Sequence, residues 1–145
     1  MTDIKQDGNP RPRREQIVSP EMDNATATKL SYAYGIRTDN IVWIAGQVAR
    51  DAAGNLIGEG DAEAQAEQCL TNMRAIIEAA GGTMDDIVRM VIYLTDRSYR
   101  PAVGTVRARI FHEPFLPTTT LVIVAGLALP EYLVEIEGVA VLTDD

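Results

Sequence analysis

Residues 134–140, V-E-I-E-G-V-A, form the stretch that decides the C-terminal half of the fold. Side chains alternate across a β-strand, so Val134 and Ile136 share an apolar face that is typical of a core. Glu135 and Glu137 share the other face, and there Glu137 has apolar neighbours along the strand. A covered carboxylate is costly unless it meets a partner. Two interpretations follow: a glutamate satisfied by backbone donors at an edge or subunit contact, or a carboxylate in a ligand cleft.

Length and composition limit what this chain can be. Its 145 residues, 46% of them hydrophobic, suit one domain of ordinary size. A net charge of −8 argues against a nucleic-acid partner bound through its phosphates and against a membrane surface. The chain shows neither an apolar run long enough to span a bilayer nor a signal peptide, so a cytoplasmic protein is expected. Its one cysteine, Cys69, and its one histidine, His112, offer no metal-ligand spacing, and no metal or cofactor is expected.

The hydrophobic spacing predicts the order β-β-α-β-α-β-β. Residues 1–28, which are charged and contain prolines, are expected to form an N-terminal arm or tail, and residues 29–145 a single domain. The predicted strands cover residues 32–37, 41–47, 87–95, 121–125 and 133–142, and the predicted helices cover residues 61–80 and 99–112. This order indicates an α+β fold with two helices on one face of a mostly antiparallel or mixed sheet.

The second face of such a sheet is left uncovered. It would carry Glu135, Glu137, Val139 and Val141. A small domain with a half-apolar bare face is expected to bury it by self-association, which predicts a homo-oligomer with ligand clefts between subunits.

The chain also resembles a known family, the YjgF/RidA (Rid) proteins. The resemblance covers residues 32–142 and depends on the order and spacing of several segments together. These segments are residues 44–48 (IAGQV), 54–57 (GNLI), 64–72 (AQAEQCLTN), 79–81 (AAG), 84–88 (MDDIV), 91–96 (VIYLTD), 115–117 (FLP) and 134–140 (VEIEGVA). The resemblance implies a chorismate-mutase-like α+β fold, a barrel-like trimer and three small-molecule sites at the subunit interfaces.

The better-studied members of this family hydrolyse enamines and imines derived from amino acids to ketoacids and ammonia. Matched residue by residue, the resemblance implies that Tyr32 and Glu137 are catalytic and that Gly46 lines the cleft. In those members an arginine after a Pro-Ala pair binds the substrate carboxylate, because a guanidinium pairs with a carboxylate through two hydrogen bonds.

Three positions of the implied pocket depart from the family pattern. The arginine is replaced by Thr119, a frequent cysteine by Leu121, and an asparagine of the second helix by Gly104. A threonine cannot pair with a carboxylate by charge, so ordinary 2-imino acids are not the expected substrates. The chain therefore resembles an arginine-lacking subgroup. Arg50, which follows the strand end at Gly46, is a candidate replacement cation, with a solvated arginine as the alternative.

Two functions stay open on the sequence. The first is a hydrolytic deaminase, or hydrolase, for a neutral or bulkier imine or enamine, with Glu137 positioning or deprotonating the attacking water. The second is a non-catalytic homotrimer that binds a small metabolite or serves as a regulatory partner. RNA cleavage, a role sometimes attached to this family, is disfavoured because the chain is acidic and has no paired histidines or basic groove.

Overall fold

The computed structural model describes residues 13–143. Its elements, in chain order, are β1 (Arg14–Ile17), α1 (Asn24–Lys29), β2 (Gly35–Thr38), β3 (Ile41–Gln47), α2 (Ala62–Ala79), β4 (Ile87–Leu94), α3 (Arg100–Ile110), β5 (Thr118–Ile123) and β6 (Val134–Val141). Short 3₁₀ turns precede β4 and α3. Among the described residues, no helix is both long enough and apolar enough to cross a membrane.

The six strands form one mixed sheet in the order β1-β2-β3-β6-β4-β5. All neighbouring pairs are antiparallel except β4 and β5, which are parallel and are joined through α3. This is the connection that parallel neighbours require. Helix α2 packs on β3 and β6 and also against α3. The predicted α+β class, with two helices against one side of a mixed sheet, is therefore confirmed.

Helix α2 forms the main contact between the helices and the sheet. The Asp61 side chain caps its start by accepting from the Ala64 backbone N–H at 3.1 Å. Its buried stripe includes Cys69, Leu70 and Met73, each with no exposed surface. Gly81, with φ +90°, follows its C-terminal end in the left-handed conformation that glycine adopts readily. These local signals agree with the predicted helix.

Strand β6 lies in the middle of the sheet and shows the alternation expected from its sequence. Val134, Ile136 and Ala140 are fully buried against the helices. Gly138 is required there, since a Cβ would lie 2.7 Å from Met73 Cε and 3.0 Å from the Arg89 carbonyl oxygen. The core of the chain is thus on the helix side of the sheet.

The other face of the sheet is open in the single chain and carries large apolar side chains. Trp43 is 50% exposed on it, and its Nε1 donates to Thr38 Oγ1 at 2.9 Å. Trp43 is exposed despite its size because it lies on the face of β3 that no helix covers.

The N-terminal segment is more regular than expected. Strand β1 extends the sheet by pairing with β2, and α1 follows it, with Asp23 capping the helix through the Thr26 N–H. This corrects the prediction of an irregular arm over residues 1–28, of which residues 1–12 lie outside the described part. The polar sequence of Arg14–Ile17 concealed the strand, because it is held by backbone pairing and buries only Ile17.

Candidate active site

A cavity of about 700 Å³ opens beside the C-terminal end of β3. Helix α1, the segment between α1 and β2, the end of β3 and the loop before β6 enclose it. Among its lining residues are Tyr32, Gly46, Arg50, Tyr132 and Glu135. Three residues predicted for the site, Tyr32, Gly46 and Arg50, therefore lie around one cavity.

Glu135 is one of three carboxylates that line this cavity, together with Asp23, which caps α1, and Asp51, which accepts from the Ala53 and Asn55 N–H groups. The Glu135 side chain lies directly over Gly46, and a Cβ on that glycine would stand 3.0 Å from Glu135 Cδ and closer still to Oε1. Absence of a side chain at Gly46 therefore makes room for the Glu135 carboxylate. A register shift between Ile44 and Gln47 in the β3–β6 pairing places Gly46 at an irregular point of the strand.

The protonation of Glu135 is shifted by its surroundings. Burial raises the pKa of the Glu135 carboxyl above its ordinary value, and the negative charge of Glu137 raises it further. A glutamate with a raised pKa can exchange a proton closer to neutral pH than an exposed one. Glu135 thus has the properties of an acid–base group.

Arg50 is held on the cavity wall by groups of its own chain. Its Nε donates to the Tyr132 hydroxyl, its Nη1 to the Gly54 carbonyl at 2.6 Å, and its Nη2 to Glu131 Oε1 at 3.3 Å. The guanidinium carbon also lies 5.1 Å from the centre of the Tyr132 ring. These contacts hold Arg50 in place on the cavity wall, and Glu131 partly offsets its charge.

Two tyrosines, Tyr32 and Tyr34, also line the cavity. The Tyr32 and Tyr34 rings meet edge to face with their centres 5.4 Å apart. The Tyr34 hydroxyl donates to the Asp23 carbonyl at 3.1 Å, and burial raises the pKa of this phenol. Tyr34 is therefore anchored to α1, whereas Tyr32 is 41% exposed and can offer its hydroxyl to a ligand.

Glu137, predicted as the catalytic carboxylate, lies outside the lining of this cavity. It shares a face of β6 with Glu135 but accepts a hydrogen bond from the Tyr93 hydroxyl on β4. That bond raises the pKa of Tyr93. Glu137 is thus engaged on the open face of the sheet.

The other three predicted residues form a second group between α3 and β5. Gly104 and Leu121 line a smaller cavity together with Arg107, which donates to Thr119 Oγ1 at 3.1 Å. Strands β6 and β4 separate β3 from β5, and neighbouring strands are about 4.8 Å apart. Within one chain, the β5 residues therefore lie roughly 14 Å of sheet from Gly46 on β3 and roughly 10 Å from Glu135 on β6.

Comparison with known proteins identifies the family of this chain. The family described as Endoribonuclease L-PSP matches residues 22–142. The chain belongs to this family, which includes the Rid proteins. Among curated proteins, a "2-iminobutanoate/2-iminopropanoate deaminase" of Dermatophagoides farinae is 32% identical over 113 residues, which are 77% of this chain and 85% of that protein.

Solved structures of Rid proteins have the same fold. RidA from an Antarctic Psychrobacter species is 34% identical, with a TM-score of 0.79 over 88% of this chain and 99% of that one. The YjgF gene product of E. coli is 29% identical, with a TM-score of 0.78 over 88% and 98% of the two chains. The resemblance inferred from the sequence is therefore confirmed at the level of family and fold.

Two residues that line these cavities, Glu135 and Arg107, were not predicted from the sequence. Glu135 lies two residues from Glu137 on the same face, and strand alternation cannot tell which of them meets a cavity. Arg107 lies at a helix position whose polar sequence pattern is typical of a solvent-exposed side chain. A glycine on the strand that pairs with β6, Gly46, was the signal that could have identified Glu135. Among the described residues, no group of three or more His, Cys, Asp or Glu side chains is placed to hold a metal ion.

Proposed function

We propose that this Rid-family chain is a hydrolytic deaminase that converts a small imine or enamine to a carbonyl compound and ammonia. The observation that carries the proposal is the half-buried Glu135 carboxylate, which has a raised pKa and faces a cavity that also holds Tyr32. The deaminase of Dermatophagoides farinae, 32% identical, supports this reaction class.

In the proposed reaction Glu135 moves two protons in turn. As its carboxylate, it accepts a proton from a water molecule while the water oxygen bonds to the imine carbon, and it returns this proton to the nitrogen to give a neutral carbinolamine. It then accepts the proton of the carbinolamine hydroxyl and passes it to the same nitrogen, so that the C–N bond breaks, ammonia leaves and the C=O bond forms. An enamine is first protonated at carbon, which converts it to the iminium form. A group whose pKa lies closer to the working pH serves both directions of transfer.

Glu135 replaces Glu137 as the proposed acid–base group, and Tyr32 keeps a role in binding the reacting nitrogen or water. The reason is the environment of each carboxylate: Glu135 faces the cavity, whereas Glu137 is occupied by the Tyr93 hydroxyl. We propose no cofactor, because proton transfer from a carboxylate is sufficient for hydrolysis of an imine.

The proposed assembly is a homotrimer with its ligand sites at the subunit interfaces. In support, Thr119 and Leu121 on β5 lie roughly 10 Å of sheet from Glu135 on β6 and roughly 14 Å from Gly46 on β3 within one chain, which is farther than one small ligand spans. A second copy docked on the open sheet face could bring the two groups together and would cover apolar side chains such as Trp43.

The proposed substrate is an imine or enamine other than an ordinary 2-imino acid, since position 119 holds a neutral hydroxyl. We further propose a cytoplasmic location and no nucleic-acid or membrane partner, in line with a net charge of −8.

The test is turnover of a panel of imines generated in situ by amino-acid and amine oxidases, followed by the ammonia released in excess of the uncatalysed rate. We expect catalysis by the wild-type protein and at least a hundredfold loss in Glu135→Gln, which also controls for contaminating activity. A wild-type protein that accelerates no imine of the panel would contradict the proposal. Thermal stabilisation by the same compounds without turnover would favour the non-catalytic binding trimer.

A further inference from the structure

The region between α3 and β5 has the features of an anion site. It contains a cavity of about 300 Å³, lined by Arg100, Pro101, Val103, Gly104, Arg107 and Leu121. A neighbouring cavity of about 400 Å³ is lined by Gly104, Arg107 and residues towards Pro117. We call the two together the α3 groove. Arg107 and Gly104 line both halves, so the arginine lies at the centre of the groove.

Arg107 is a cation without a counter-ion in the described part of the chain. No acidic side chain of residues 13–143 lies within ion-pair distance of its guanidinium. By contrast, Arg109, two residues along the same helix, pairs with Glu63 and Glu67, and Arg50 pairs with Glu131. Several other arginines of the described part also lack an ion pair, so what sets Arg107 apart is its Nε, which is fully buried beside two cavities and has no hydrogen-bond partner within residues 13–143.

The hydrogen bonds of Arg107 also indicate that it has donors free for a ligand. A guanidinium has five N–H donors, and within the described residues one group accepts from it, Thr119 Oγ1 at 3.1 Å. Arg107 Nε is the one fully buried side-chain polar atom of residues 13–143 without a hydrogen-bond partner. Such orphaned donors are rare in proteins, and a bound water or ion is one of the accepted explanations.

Thr119 holds this arginine in place. Its hydroxyl donates to the Pro117 carbonyl at 3.3 Å, which leaves an oxygen lone pair to accept from Arg107 Nη2. A neutral acceptor orients the guanidinium without neutralising it. An arginine that is already oriented loses less side-chain entropy when a ligand binds to it.

The rest of the groove favours a small anion. Gly104 has no heavy atom within 4 Å of the position of a Cβ, so the helix leaves space beside Arg107. Leu121 provides an apolar wall, and Arg100 adds a second positive charge to the lining. No acidic side chain lines either half of the groove.

We infer that Arg107 binds a carboxylate of the ligand, so that the anion-binding role absent from β5 at Thr119 is taken by a residue of α3. The identity of the ligand as an imine or enamine rests on the proposed function, whereas the carboxylate site itself does not. A guanidinium displaced from β5 to α3 holds the carboxylate at a different place, which agrees with a substrate other than an ordinary 2-imino acid.

The experiment is a binding titration with 2-oxobutanoate, a stable ketoacid that needs no turnover and serves here as a small carboxylate probe of the α3 groove, not as the product of the proposed reaction. Its neutral isostere 2-oxobutanamide is the control ligand, and the ¹⁵N–¹H signal of Arg107 Nε and isothermal calorimetry are the readouts. Arg107→Gln is compared with Arg109→Gln, a matched change on the same helix. We expect Arg107→Gln to weaken 2-oxobutanoate binding at least tenfold, and Arg109→Gln less than twofold. The amide should bind both variants and wild type equally weakly.

Two results would overturn the inference: no binding of 2-oxobutanoate to wild type, or binding to Arg107→Gln within twofold of wild type. If Arg107→Gln fails to fold, Arg107→Lys and the wild-type Nε signal decide, and an Nε signal unmoved by saturating 2-oxobutanoate also overturns it. The two proposals fail separately. Arg107-dependent binding without imine turnover refutes only the deaminase, and turnover with Arg107-independent binding refutes only the anion site.

Discussion

Gly46→Ala is the smallest change that tests the cavity geometry. A Cβ at this position would lie 3.0 Å from Glu135 Cδ and 3.1 Å from Cγ, where ordinary contacts are 3.4–4 Å. The carboxylate therefore has to move by about 1 Å, and a misplacement of this size costs on the order of a hundredfold in rate. Because the obstructing atoms belong to the end of a flexible side chain, the fold should tolerate the methyl group with little loss of stability.

The assay is kcat/KM for the best imine of the panel, with the melting temperature measured in parallel. Gly126→Ala is the matched control, since its Cβ would meet no heavy atom within 4 Å. We expect Gly46→Ala to lose about a hundredfold in kcat/KM and Gly126→Ala to stay within twofold of wild type. A folded Gly46→Ala protein with wild-type activity would refute the reasoning, because Glu135 would then not need its observed position.

Four further predictions concern stability and reactivity. The raised pKa of Glu135 means that the folded chain holds this proton more tightly than the unfolded chain, so stability falls as pH rises above about 4.5, and Glu135→Gln should melt higher than wild type at pH 8 but not at pH 4. Burial raises the pKa of the Cys69 thiol, and a disulfide reagent should modify it at pH 8 only after unfolding in urea. Leu70→Ala, at a fully buried position of α2, should lower the free energy of unfolding by about 2–5 kcal/mol in urea titrations. Asp61→Ala removes the α2 cap and should lower it by about 1 kcal/mol in the same measurement.

Elements with a strong hydrophobic period could be predicted from the sequence. Strand β3 (Ile41–Gln47) was predicted at its observed bounds, and α2, β4 and β6 within one or two residues. Each of these buries a stripe or a face, so its pattern reflects the core directly. Strand β1 gave no such pattern because it is held by backbone hydrogen bonds to β2. The exposure of Trp43 could not be read from its size either, because the sheet face on which a side chain lies decides its burial.

The site was less predictable than the fold. Tyr32, Gly46 and Arg50 do meet at one cavity, but the choice between Glu135 and Glu137 depends on an irregular register of β3 that no spacing rule contains. Arg107 could be recognised as a candidate site residue only from the structure, which shows its bond to Thr119 and, within residues 13–143, its buried Nε without a partner.

The central claim is that Glu135, and not its neighbour two residues away, transfers the proton. The most direct test compares kcat for Glu135→Gln and Glu137→Gln on the same imine, because the two changes are chemically identical and lie on the same face of β6. We predict a loss of at least a hundredfold for Glu135→Gln and less than tenfold for Glu137→Gln. The reverse order, with Glu137→Gln inactive and Glu135→Gln near wild type, would contradict the account.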